Sequence, residues 1–172
     1  PEFEFQVTGL QLKTVYAPVE FRDISVFGLI KDNNVYINGL FGKFGRSDVF
    51  LNAEFDNVLA TKDTVSRPLK SRVSFNSGVL DLNELVKLDE ATTEVTEVAS
   101  DTTIAANPFA DDFPILDLNV NIGEFYYYDV SIKNLSGIIK IEENNIIKLN
   151  QVTLQSGEYG SFEINGKLDA SS

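Results

Sequence analysis

The chain has 172 residues and a net charge of −12, from 26 acids and 14 bases, with no Cys and no His. That composition removes disulfides, thiolate metal sites, cysteine nucleophiles and the imidazole of the usual catalytic triads. It offers no basic stripe to a phosphate backbone, which speaks against nucleic acid, and no run of 18 apolar residues to cross a membrane as a helix.

The chain opens at Pro1 with no signal-like segment, which reads as a fragment or processed form. From Glu2 the residues alternate: Phe3, Phe5 and Val7 fall on one side, Glu2, Glu4 and Gln6 on the other. Alternate residues of a strand point to opposite faces, so a strand is expected over 2–16. Apolar parity shifts from Val7 to Leu10 and Leu12, and Gly9 marks a bulge there. Strands are then expected over 19–31, 34–42, 47–59 and 68–77. Lys31 to Asn34 reads as a hairpin loop because Asn tolerates positive φ. In the fourth strand Val49, Leu51, Ala53 and Phe55 share a side. The stretch Ser77 to Val86 leaves the alternation. Asp81, followed three residues later by Glu84, resembles a capping box, and Leu82, Leu85 and Val86 fall on one helical face, so a short helix is expected near 81–88.

Residues 81–117 hold ten acids against one base, Lys87. Within them 89–113 has no periodicity and reads as an acidic flexible loop. Strands resume over 115–124, 125–133, 136–142, 146–155 and 160–169. Leu116, Leu118, Val120 and Ile122 share one side of the first of these, and Phe162, Ile164, Gly166 and Leu168 one side of the last. The run Phe125-Tyr-Tyr-Tyr128 is the densest aromatic feature; alternation sets Tyr126 and Tyr128 on one face, Phe125 and Tyr127 on the other.

The second half restates the first. Phe21-Arg-Asp-Ile-Ser25 recurs as Ile132-Lys-Asn-Leu-Ser136, and Val49 to Asn57 recurs as Phe162 to Ala170. The offset is 111 in the first block and 113 in the second, so two residues are expected to enter in a turn between them. What recurs is strand pattern, with no reactive side chain kept. The expected organisation is a first β-meander over 1–88, the acidic linker over 89–113 and a second meander over 114–172, joined in one structural unit. The expected fold is mostly β: antiparallel meanders in a curled, one-sided sheet forming a half-open groove, with a closed β-sandwich as the alternative.

The search for chemistry is negative. Ser71 and Lys70 are strand neighbours and point apart. Asp111, Asp112 and Asp117 supply hard oxygens but sit in no calcium-loop pattern. No Gly-rich phosphate loop precedes a helix. No catalytic, metal or cofactor residue is assigned, and the chain does not read as an enzyme.

The run Ser71 to Leu85, with its Leu80-Asp-Leu-Asn-Glu-Leu85 turn, resembles AsmA-like envelope proteins. In those proteins an acidic insert follows, then a strand like Leu116 to Ile122, a segment like Leu135 to Ile141, a Gly-bracketed turn like Gly157 to Gly160 and an ending like Ile164 to Asp169. The resemblance is strongest over 66–170. It implies a periplasmic segment of a bacterial envelope protein whose full-length form is anchored in the inner membrane. It also implies kinship in pattern with TamB and bridge-like lipid-transfer proteins, and a role in phospholipid transport between membranes and outer-membrane homeostasis. The partner it implies is phospholipid, beside envelope proteins or further repeats of the same chain. The candidate apolar groove is Phe3, Phe5, Val7, Val49, Leu51, Phe55, Leu116, Leu118, Val120, Ile122, Phe162, Ile164 and Leu168. The competing expectation is an envelope scaffold or protein-interaction module without lipid.

Overall fold

The computed structural model describes residues 2–13, 20–58, 69–84 and 115–169. The expected acidic loop over 89–113 and the expected helix beyond residue 84 lie outside these. Nine strands run in chain order across one open sheet. They are β1 (Glu2–Leu12), β2 (Phe21–Lys31), β3 (Asn34–Phe44), β4 (Ser47–Asp56), β5 (Lys70–Asp81), β6 (Ile115–Tyr127), β7 (Val130–Glu142), β8 (Ile146–Gln155) and β9 (Ser161–Asp169). The sheet closes into neither a barrel nor a sandwich. Every pairing is antiparallel except β5 with β6, which is parallel. Both meanders are antiparallel as expected, and the joint between them is the parallel pair. A parallel neighbour needs a connection of a dozen or more residues, and β5 ends at Asp81 while β6 begins at Ile115.

The second unit has four strands among the described residues, where five were expected. The break expected between residues 124 and 125 is absent. In fact β6 runs through Gly123 to Tyr127, and the chain turns at Tyr128, which has φ 48°. The stretch 125–142 does not break after 133 either. Asn134, at φ 51°, makes a bulge inside β7, as Asp23, at φ 55°, does inside β2, and the two positions differ by 111. Such an irregularity adds a residue without ending the ladder.

The bulges track the repeat. Register shifts fall between Arg22 and Ser25 on β2 and between Lys133 and Ser136 on β7. They fall between Ile37 and Leu40 on β3, and between Leu149 and Val152 on β8 at an offset of 112. Gly42 pairs with Val49 as Leu154 pairs with Phe162, which brings the offset to 113 on β4 and β9. The two added residues are therefore shared between the β7–β8 and β8–β9 turns rather than placed in one. The Gly9 bulge appears as expected, with a register shift between Val7 and Leu10 and φ 67° at Gly9.

A small core sits on one face near the β3–β4 turn. Phe44, Leu80, Val120 and Ile122 are buried, and Phe21, Val49, Phe75, Leu82, Phe125 and Leu135 pack against them. Ile122 is only 3% exposed. A residue on a flat single layer cannot be covered so fully, so the curl of the twisted sheet and Leu82 close over it. Val120 and Ile122 precede Gly123 at even positions, yet Phe125 after it joins the same cluster; Phe75 and Leu80 switch likewise around Gly78. The two glycines lie side by side on the parallel strands, where a Cβ on Gly123 would come 2.7 Å from the Gly78 carbonyl oxygen.

Candidate apolar face and polar clasp

Side-by-side residues in a sheet point to the same face, so the register assigns faces strand by strand. Phe3, Phe5 and Val7 stand opposite Ile30, Gly28 and Val26. Those in turn stand opposite Val35, Ile37 and Leu40 on β3, and then Phe55, Ala53 and Leu51 on β4. The line continues through Ser71, Val73 and Phe75 to Leu116, Leu118 and Val120, and through Ile141 and Ile139 on β7 to Ile147 and Leu149 on β8. It ends on Leu168, Gly166, Ile164 and Phe162. All thirteen groove candidates thus share one face.

Their exposure differs by position. Val120 and Ile122 are core. Phe5, Val49, Leu51, Phe55, Leu116 and Leu118 are half-buried. On the flanks Phe3 is 62% exposed, Val7 44%, Phe162 46%, Ile164 41% and Leu168 60%. The face is therefore closed at its centre and open at both sides. Sequence reasoning missed the residues that complete it, such as Val26, Ile37, Leu40, Val73, Ile139 and Leu149. Bulges hide the parity of Ile37 and Leu40, and the two-apolar pairs of β7 and β8 show no clean alternation.

The opposite face is wet but not uniformly polar. Phe27, Phe41 and Phe50 form an aromatic row across β2 to β4, with ring centroids 6.4 and 4.7 Å apart. A shallow cavity of about 470 Å³ lies on this face, lined by Tyr36, Asn52, Glu54, Arg72, Ser74 and Asn119 among others. Its charges satisfy each other: Arg72 Nε donates to Glu54 Oε2 at 3.0 Å and its guanidinium lies 3.6 Å from Asp56. The hydrogen bond to Glu54 and its charge raise the Arg72 pKa further above its ordinary value. The cavity is thus a charge-paired stretch of wet surface and no part of the apolar groove.

Acidic groups near the core clasp backbone. Asp48 accepts from the N–H groups of Gly78 and Val79 at 3.0 and 2.8 Å, two consecutive donors aimed the same way. That satisfies the irregularity at Gly78. Asp81 Oδ1 accepts from Asn83 N–H at 3.0 Å, the cap expected at the start of a helical turn over Asn83 and Glu84. The reciprocal half of the capping box is not made. Glu84 instead reaches the β3–β4 turn and accepts from Arg46 N–H at 3.2 Å, while the Asp81 N–H donates to Ser47 Oγ at 2.8 Å. Arg46 Nε donates to Asp81 Oδ2 at 2.7 Å, and its guanidinium stacks 4.3 Å above the Tyr126 ring. Phe125 points to the core because the parity set by Val120 and Ile122 switches at Gly123. Tyr128 sits in the turn rather than beside Tyr126 on the strand, because its positive φ ends the alternation.

Among the described residues no group of three His, Cys, Asp or Glu side chains is placed to hold a metal, and no helix is long and apolar enough to cross a membrane. No family model, curated protein or solved structure matches the chain.

Proposed function

We propose that the chain is a non-enzymatic module of a bacterial cell envelope, of the AsmA-like kind, whose apolar sheet face holds phospholipid acyl chains during transport between membranes. The observation that supports this most is the exposed apolar band on the flanks of a single-layer sheet, on the same side as the buried centre. Contiguous exposed apolar surface of this kind marks a site for a partner, a ligand or a membrane. An acyl chain needs a strip shielded from water and asks for no directional bonds, and the strip crosses all nine strands without a charged side chain among the thirteen candidates. A periplasmic location, with an inner-membrane anchor elsewhere in the full-length protein, follows from the same reading. An envelope scaffold that binds protein and no lipid is the reading left if lipid is not taken up.

The burial gradient dictates the test. Ile164→Lys changes an open position and is expected to leave a folded sheet while reducing extraction of a labelled phospholipid from vesicles at least severalfold. Val120→Lys places a charge in the core and is expected to unfold the chain, since an unpaired buried charge costs several kcal/mol, on the order of the whole stability of a small domain. Native mass spectrometry of gently purified protein is expected to show bound phospholipid. Protein that is lipid-free and extracts none sinks the proposal.

A further inference from the structure

We propose that this chain adds head to tail to a second copy of itself, edge strand β9 of one copy pairing antiparallel with β1 of the next. In the described sheet both strands are edges. An edge strand presents unpaired N–H and C=O groups, and exposed apolar edges are the ones that recruit another strand. β9 is the repeat counterpart of β4, and the outer edge of β4 is filled by β5. Four antiparallel steps and one parallel step carry the direction from β1 to β6, and three more antiparallel steps to β9. β9 therefore runs opposite to β1, so a translated copy meets it antiparallel.

An opposite-charge pair points to a second copy as the partner and favours one register. Lys167 stands opposite Lys148, whose ammonium is already held by Glu142 at 2.6 Å. Glu4 stands opposite Leu29. Neither Lys167 nor Glu4 makes an ion pair among the described residues. Matching the apolar faces allows only every second register. The one that sets Lys167 against Glu4 also sets Leu168 against Phe3, Asn165 against Gln6 and Ile164 against Val7, and at its end Asp169 against Glu2, whose charge Lys31 offsets at 3.3 Å. A slip of two residues sets Lys167 against Glu2, which Lys31 already engages at 3.3 Å. Pairing covers two open edges and continues the apolar face from copy to copy.

Sedimentation velocity of the lipid-free 172-residue chain, from micromolar to millimolar, tests this apart from the lipid reading. The expected result is a mass that grows past the dimer. Glu4→Lys and Lys167→Glu each turn attraction into repulsion and are expected to weaken association about tenfold. An equimolar mixture of the two single variants restores opposite charges at both mixed junctions and is expected to grow again, with the two variants alternating. The double swap restores growth. A monomer at every concentration, growth that stops at a dimer in the unmodified chain, or association indifferent to both charges overturns the proposal.

Discussion

Tyr126 is bound on both sides of its ring. Its hydroxyl donates to Glu124 Oε2 at 2.7 Å, and the Arg46 guanidinium lies over the ring face. The hydrogen bond to Glu124 raises the phenol pKa above its ordinary value near 10, with desolvation as a smaller cause. It is the protonated hydroxyl that Glu124 holds. A raised folded value means that the contribution to stability is fully present below the unfolded pKa and is lost as pH rises through the folded one. Absorbance titration is expected to show one tyrosine ionising after the others, and Tyr126→Phe is expected to remove that last step. An unchanged titration in the variant means that the bond does not form in solution. None of this was legible in the Phe125 to Tyr128 run. Alternation separated Phe125 from Tyr126 correctly, but the partners Arg46 and Glu124 arrive through strand register.

At the scale of elements, glycine divides into two kinds. A Cβ on Gly123 meets the Gly78 carbonyl oxygen at 2.7 Å, a backbone atom that cannot swing aside; one on Gly166 meets nothing within 4 Å. Gly123→Ala is expected to destabilise by roughly 1–3 kcal/mol through overpacking. Gly166→Ala is expected to be neutral or to stabilise by about 0.5 kcal/mol, because Gly has more backbone freedom to lose in a strand. Denaturant midpoints compare the two, and equal losses refute the close contact. Strand identity and the shared apolar side were readable because β1, β4, β6 and β9 alternate cleanly. The Gly9 bulge was readable from the shift between Val7 and Leu10. The bulges at Asp23 and Asn134 were not, since a single residue in left-handed conformation leaves the neighbouring apolar spacing ambiguous. The parallel pairing was hidden for another reason: the sequence joining β5 to β6 carries composition but no periodicity.

Across the whole molecule, cover declines from the middle of the sheet outward. Every residue of β9 is exposed, whereas β5 and β6 carry much of the core. Local opening costs least where few apolar contacts must be broken. Hydrogen exchange is therefore expected to be fastest on β9 and β1 and slowest on β5 and β6, and phospholipid is expected to slow the flanks more than the centre. Uniform protection across the nine strands refutes a face that is open at its sides.

The parallel pair β5–β6 carries a consequence of symmetry. Five strands end pointing the way the first began, and a parallel neighbour starts the second unit in that same direction. With the strands still in chain order, an antiparallel neighbour there would have turned the second unit over and set its apolar side on the opposite face. The parallel joint relates the units by translation with twist, so both keep their apolar side on one face and the bulges and turns recur along it in the same sense. The molecule has a head and a tail, and a ligand crossing it from β1 to β9 meets a different sequence of surroundings from one crossing the other way.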